Sequence, residues 1–433
     1  MKISSLLLTA SVLFGLALPT AAAAHQTLTV GSAKIDITPK DLTGLNPIGG
    51  LTFAAVNDPI FLRALVVSDG RQEAAIVTLD LIEIGNTDAF RARIENELGI
   101  AASHVILNAT HDHSAPRIGH VTPGALAHEG TAQSLVYTEF VYDTVIKALK
   151  EARAHAKPAR FGVGRGGLDI NVNRDAYDPK RGWGLGYNTA GPSDDTMMVA
   201  KFEDLDGKPI GAIFNYAVHS VVTFGTNRVS GDLAGAAEAV TEKGLGDGAV
   251  ALFTAGPIGD QNPRLFPTQP KQMTADSLKA AYDATTAQGL LLGSEVLRVA
   301  DGITETTGSV RLFAADKTFS CPVQAGTEVM ADMKQAKVDN VAFSLGLIRL
   351  NDFAMAGVSG EVVTPLYRHL QAETPLNDTM LVSIANDRVG YIADDAAYDT
   401  PLFEVKGSPA ARGCAEDNIV SGIVSLIRSA SQN

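Results

Sequence analysis

The sequence predicts an α/β fold, a mixed sheet with flanking helices and a functional site at the strand ends. Three observations carry that reading. Short β-branched apolar runs alternate with amphipathic stretches; the residues able to do chemistry recur where those runs stop; and no internal repeat, low-complexity tract or linker interrupts the pattern. The alternation favours one mixed domain over residues 25–433, a length that also accommodates two ordinary domains.

Leu28 to Ile37 alternates and ends at Thr38-Pro39, a first strand. Ile60 to Ser68 and Glu73 to Leu79 are joined by Asp69-Gly70-Arg71, a hairpin signature, and deliver Asp80. Thr87 to Leu98 is expected to be helical with Thr87 as its cap. His104 to Ala109 is a buried strand, and Ser134 to Ala154 is an amphipathic helix with Tyr137, Val141, Val145, Ala148 and Ala152 on one side. Between them a Gly/Pro-rich stretch carries His120 and His128, both expected on the loop surface. Arg160 to Val172 is expected as one strand, followed from Asp175 to Pro192 by a long Gly- and aromatic-rich loop containing Trp183. Met197 to Phe202 and Ile210 to Val218 form a hairpin about Asp206-Gly207, ending at His219. A helix from about Leu233 to Lys243 is capped by Ser230 or Asp232. Then come a strand at Ala249–Phe253, a Gly/Pro-rich turn to Pro263, and a helix at Thr274–Val299. Strands follow near Val310, Ala342 and Phe353, with a helix at Val362–Leu370, a strand at Met380–Ala385 and a helix at Ile419–Ser429.

Residues 1–24 read as a secretory leader: Lys2, an apolar core from Leu6 to Leu18, and the small-residue site Ala22-Ala23-Ala24. It is too short for a membrane span, and no later run is long enough for one. The expected location is therefore secreted or periplasmic. Without the leader, 34 basic residues face 48 acidic ones, a net charge of −14 that argues against nucleic acid and against anionic membrane surfaces as partners. A lipid held by its tail remains compatible. Cys321 and Cys414, the two cysteines, are expected to form one long-range disulfide in an oxidising compartment, with two free thiols as the alternative.

The densest motif is Asn108-Ala109-Thr110-His111-Asp112-His113-Ser114-Ala115-Pro116, directly after the apolar run Val105-Ile106-Leu107. Should the strand continue through the pair, His111 and His113 share a side, because strand side chains repeat every two residues. Two adjacent imidazoles suggest a metal, and a pair of turn histidines is the bland alternative. Other strand ends carry Arg174, His219, Asp260 with Asn262, and Glu361 with Tyr391 further on. His111, His219 and Glu361 would make a His₂Glu set able to hold zinc with one position open for water. Competing templates fit badly. There is no His-Glu-x-x-His; Ala115 and Pro116 occupy the places of the Asp and His in His-x-His-x-Asp-His; and neither Gly-x-Ser-x-Gly nor a phosphate-binding loop is present.

Six blocks in the same order resemble one family over roughly residues 27–405. Thr110 to Pro116 resembles its Thr-His-Thr-His-Ser-x-Pro, Asn173-Arg174 its Asn-Arg pair, and His219 with Ser230-Gly231-Asp232-x-x-Gly235 its His…Ser-Gly-Asp-x-x-Gly block. Gly259-Asp260-Gln261-Asn262-Pro263 resembles its Gly-Asp-Val-Ser-Pro turn. Gly360-Glu361 and Gly390-Tyr391-Ile392…Tyr398 resemble its Gly-Glu and Tyr-Val…Glu-Tyr segments. The family is the neutral/alkaline non-lysosomal ceramidases. The resemblance implies a zinc-dependent amidase whose Zn²⁺ is held by His111, His219, Glu361 and Tyr391, with His113 and Arg174 near the scissile amide of a lipid-like or acyl-amide substrate.

Three departures qualify what carries over. The family's serine in the Gly-Asp turn is Asn262, which can orient a substrate or stabilise an oxyanion but cannot be a covalent nucleophile. Its second pocket tyrosine falls on Phe403, with Tyr398 nearby in another register. Family members also carry a C-terminal β-sandwich, and this sequence stops at Asn433. The expected function is therefore an exported zinc amidohydrolase of neutral-ceramidase type acting by zinc-activated water. The alternatives are the same chemistry on another amide or ester, and a non-catalytic metal- or lipid-binding homologue.

Overall fold

Apolar residues that alternate along each strand can be buried on both sides only if both faces of the sheet are covered. The computed structural model, which describes residues 26–47, 52–119, 126–127, 131–246, 248–266, 273–325, 334–335 and 338–431, meets that condition with four layers. The expected leader, His120 and His128 lie outside the described residues. An eight-stranded mixed sheet runs in the order Val250–Ala255, Pro209–Tyr216, Thr196–Asp204, Lys157–Gly167, Thr29–Asp36, Phe61–Ser68, Glu73–Leu79, Val105–Ala109. Leu62, Ala64 and Val66 point to the helices on one face. Leu65 and Val67 point to a second sheet on the other.

That second sheet has the order Leu312–Pro322, Asn340–Leu350, Phe353–Val358, Asp378–Val382. Phe353 and Met355 pack towards the large sheet, while Ala354, Ala356 and Val358 pack outward against the helices Thr364–Glu373 and Ala415–Ser429. The period of two along each strand thus connects one core to the next.

Pairing is antiparallel through the middle of the large sheet and parallel at both edges. Parallel neighbours need a crossover. Helix Asp88–Leu98 supplies it at one edge, helix Asp232–Leu245 at the other, and helix Thr364–Glu373 joins the parallel pair of the second sheet. In each of the three β-α-β units one strand is followed, just past its carboxyl end, by a residue able to do chemistry: His111 after Val105–Ala109, His219 after Pro209–Tyr216 and Glu361 after Phe353–Val358. The edge strand Val105–Ala109 is held from outside by Asn386, whose side chain accepts from the Leu107 amide at 2.8 Å and donates to the Val105 carbonyl at 3.1 Å.

Three local expectations need correction. Thr87 precedes its helix but makes no side-chain cap; its hydroxyl donates to the Asn386 carbonyl at 2.6 Å instead. The strand expected over Arg160–Val172 is two, Lys157–Gly167 and Asn171–Asp178. The second pairs with Gly182–Asn188, so the stretch expected as a loop is a hairpin, its Gly182 at φ 79° supplying the turn. Glycine and aromatic content suggested a loop, yet cross-strand pairs such as Tyr177 with Trp183 stabilise the ribbon.

Cys321 and Cys414 form the expected disulfide, tying the end of Leu312–Pro322 to the start of the C-terminal helix. Their separation of 93 residues predicts a stabilisation of about 4–5 kcal/mol from the lost freedom of the unfolded chain. The Cys321→Ser/Cys414→Ser double variant should therefore unfold at clearly lower urea than the parent. An unchanged midpoint would show that the outer helix docks without the bond.

Candidate metal centre and its surroundings

The strand Val105–Ala109 stops two residues before His111, whose backbone turns into the left-handed region at φ 60°. The condition of a strand that continues through the pair is thus not met. A non-glycine residue held there is strained, and such strain clusters at functional sites. The turn nevertheless brings the pair together, with His111 Nε2 and His113 Nε2 3.1 Å apart. His219 lies three residues beyond Pro209–Tyr216, and Glu361 three residues beyond Phe353–Val358. Gly259 lets the turn ahead of Asn262 lie against the Glu361 backbone, where a Cβ would stand 2.8 Å from the Glu361 carbonyl.

His111, His113 and His219 present ring nitrogens within 4.8 Å of one another, a grouping that could hold a metal ion. Glu361 Oε2 sits 3.3 Å from His111 Nε2 and 3.2 Å from His219 Nε2. The fixed tautomers make this contact informative. A carbonyl can only accept, so His111 Nδ1, 2.9 Å from the Ile82 carbonyl, and His219 Nδ1, 3.0 Å from the Gln261 carbonyl, carry the protons. A neutral ring so oriented presents a bare Nε2 to the carboxylate oxygen. Burial, reinforced by Arg174, depresses His219 to about 3, so it stays neutral. At His219 an acceptor thus faces an acceptor, an arrangement that suits a cation between them. Ligands of a tetrahedral zinc, with bonds of about 2.0–2.1 Å, stand roughly 3.3 Å apart, so the donor set fits the ion. Carbonyls orienting the far nitrogens are what metal-bound imidazoles use.

Glu361 is fully buried. Burial raises its carboxyl, but His111 and Arg388 outweigh that and hold it well below the usual range. Arg388 grips Glu361 Oε1 through Nε at 3.0 Å and Nη2 at 2.8 Å, and reaches Glu83 through Nη1 at 2.9 Å. Arg117 holds the other oxygen of Glu83 at 2.8 Å. Tyr391 is the register partner of Glu361 in a short parallel pair. Its ring lies 5.4 Å from the Arg174 guanidinium and edge-on to Phe403. Burial, then Glu361, raise its phenol, which stays protonated.

Arg174 sits within the strand Asn171–Asp178, not beyond a strand end. It approaches His219 Nε2 at 3.2 Å and Asn262 Oδ1 at 3.4 Å through Nη1, and pairs through Nε with Glu404 at 2.8 Å. His113, less buried than the other two histidines, packs edge-on against Phe224, and burial followed by His111 and His219 lowers it well below an ordinary histidine. Asp260 accepts from the Thr364 amide and hydroxyl at 2.9 and 2.8 Å, so it caps the helix behind Glu361. The Tyr398 hydroxyl bonds Ser408 and the Ala410 carbonyl.

All seven residues singled out in the sequence converge here, His111, His113, Arg174, His219, Asn262, Glu361 and Tyr391. Sequence reasoning missed Arg388 and Glu404. Both stand beside singled-out positions, Arg388 three residues before Tyr391 and Glu404 next to Phe403, but partners that hold a ligand or guanidinium carry no spacing signal of their own.

Fold and site together define an α/β protein whose strand ends gather three imidazoles and a carboxylate about one point, with two buried arginines behind them. The family model for neutral/alkaline non-lysosomal ceramidase, N-terminal, matches residues 30–364, and the chain belongs to that family. Tyr391, Phe403 and Glu404 lie beyond the matched stretch. Neutral ceramidase B of Dictyostelium discoideum is 30% identical over 209 residues, covering 44% of this chain and 27% of that protein. Neutral ceramidase A of the same organism is 32% identical over 163 residues, covering 36% and 22%. The matched stretches thus span about a quarter of these relatives' length. Among solved structures, neutral ceramidase from Pseudomonas aeruginosa superposes with a TM-score of 0.76 at 18% identity, over 93% of this chain and 75% of that one. A ceramidase complexed with C2 gives 0.75 at 17% identity, over 93% and 76%. At that identity the likeness is one of fold.

Proposed function

We propose that residues 25–433 form the catalytic domain of an exported zinc-dependent amidohydrolase that cleaves the N-acyl amide of ceramide-like lipids. The observation that carries the reading is the convergence of His111 Nε2 and His219 Nε2 on Glu361 Oε2, in a member of the ceramidase family. His111, His219 and Glu361, with Tyr391 as the fourth group, would hold the ion. Bound zinc supplies a water of lowered pKa, near 7, and polarises a carbonyl. The protein's own groups do the rest. His113, neutral and the least buried of the three clustered imidazoles, takes a proton from the attacking water and returns one to the leaving nitrogen. Arg174 and the Asn262 amide face the same space and would donate to charge developing on the substrate oxygen. Arg388 fixes Glu361 so that its other oxygen points inward. No helix among the described residues is long and apolar enough to cross a membrane.

The purified chain should carry one zinc per molecule and release fatty acid from a fluorescent ceramide, and a chelator should abolish turnover until zinc is restored. Stoichiometric zinc with turnover of short acyl-amides or esters but not ceramide would favour the alternative substrate class, for which Asn262 and Phe403 are the motivation. Zinc-independent turnover would sink the metal assignment.

A further inference from the structure

Arg174 is 3% exposed and meets the site through Nη1, which faces His219 Nε2 and Asn262 Oδ1. A second nitrogen of the same rigid planar group, Nε, bonds Glu404 Oε1 at 2.8 Å, so whatever fixes the one fixes the other. A buried guanidinium is costly without a partner, and Glu404, 1% exposed, supplies the opposite charge. Glu404 belongs to the four-residue helix Phe403–Lys406, which also brings the Phe403 ring to 5.6 Å from the guanidinium. Gly407 seats that helix on Tyr391, since a Cβ at 407 would stand 2.5 Å from the tyrosine's Cδ2. Tyr391 in turn pairs in register with Glu361. Asp175 is the other group on Glu404. Burial and then the Glu404 carboxylate push Asp175 up to about 9, with Asp260 adding and Arg174 opposing, so near neutral pH it is protonated and donates to Glu404. Glu404 therefore accepts from a cation and from a neutral acid, which leaves its carboxylate one orientation.

We propose that Glu404, hydrogen-bonded to Asp175, is a positioning residue that fixes the Arg174 guanidinium for the chemistry at the site. It acts through Arg174 and not on the substrate. The inference rests on the amide-hydrolase reading for what Arg174 does, a donor to charge on the substrate oxygen, but not for what holds Arg174 in place. Such a donor is effective when its orientation is set before the reaction, and the pair removes the freedom of the long arginine stem. Without Glu404 the cation would remain and its aim would be lost.

Arg174→Ala should lose about 100–1,000-fold in kcat, the loss expected on removing one oxyanion donor. Glu404→Gln, which keeps the volume and removes the charge, should lose about 10-fold or more in kcat with KM and zinc content unchanged. In the double variant the second substitution should cost nothing further, because both remove one function. Glu404→Ala should regain turnover in formate, which the cavity of about 190 Å³ lined by Glu404, Asp175 and the partly exposed Trp183 admits, and Arg174→Ala should not. Asp175→Ala, at the less buried carboxyl, should lower kcat several-fold and carries the test should the Glu404 variants fail to fold. The Arg174 Nε–H resonance, assigned by its absence in Arg174→Ala, reads the hold without turnover: slow exchange with water in the parent, fast in Glu404→Gln. A parent that hydrolyses no amide yet shows that change loses the hydrolase reading and keeps the positioning. Parent kcat in Glu404→Gln or Asp175→Ala, additive losses in the double variant, formate raising both alanine variants alike, or equal Nε–H exchange in parent and Glu404→Gln would overturn the proposal.

Discussion

Replacing His219 by alanine should lower amide turnover about 1,000-fold or more and abolish stoichiometric zinc. Removing a ligand forfeits the several kcal/mol that an ion contributes to the transition state, and each 1.36 kcal/mol is a factor of ten in rate. The substitution also removes one of the two donors to the Gln261 carbonyl and leaves Arg174 Nη1 without the ring nitrogen it approaches at 3.2 Å. His113→Ala provides the contrast. If that residue moves protons and does not hold the ion, its variant retains zinc and loses about 10²–10⁴-fold in kcat. Zinc analysis with steady-state kinetics on both variants decides between the roles. Loss of zinc in both would put His113 among the ligands, which its 3.1 Å approach to His111 makes a concrete possibility.

The second large effect is on stability. Arg388→Met should destabilise the metal-free protein by about 3–5 kcal/mol, because it leaves the buried carboxylate of Glu361 without its guanidinium and Glu83 with Arg117 alone. Arg388 is itself buried, and its bonds to both carboxylates are 2.8–3.0 Å long. Urea unfolding measures the loss. Adding Glu361→Gln to Arg388→Met should recover part of it, since the charge left unpaired is then gone. A midpoint unchanged in Arg388→Met would mean that Glu361 is held by its histidines alone. Lysine at 388 keeps a charge but loses the two-pronged grip on Oε1, and should fall between.

Much of this was legible because strands announce their ends. Val105-Ile106-Leu107 before the histidines, and Phe353 to Val358 before Glu361, are apolar runs whose termination by polar residues marks positions beyond a carboxyl edge. The resemblance then supplied what periodicity cannot, namely that positions far apart in the chain belong together. Backbone detail stayed hidden. Nothing in the sequence marks the left-handed turn at His111, or the Ile82 and Gln261 carbonyls that set the tautomers. Nor did composition separate loop from hairpin between Asp175 and Pro192, because a two-stranded ribbon takes its stability from cross-strand pairs whose register local content does not encode. Arg174 was legible as a cation near the site but not its partner, since Glu404 lies 230 residues away.

The Asn386 clip on the outermost strand has a consequence for how copies of this protein meet one another. A terminal strand with free backbone groups is a template for intermolecular pairing, and Val105–Ala109 is uncharged and mostly apolar. Asn386 occupies that edge with one amide side chain, its own backbone at φ 65° so that the loop can reach over. The segment that delivers the histidines is thereby closed to a neighbouring chain by the loop around Asn386, whose backbone amide also donates to the Leu107 carbonyl at 2.8 Å.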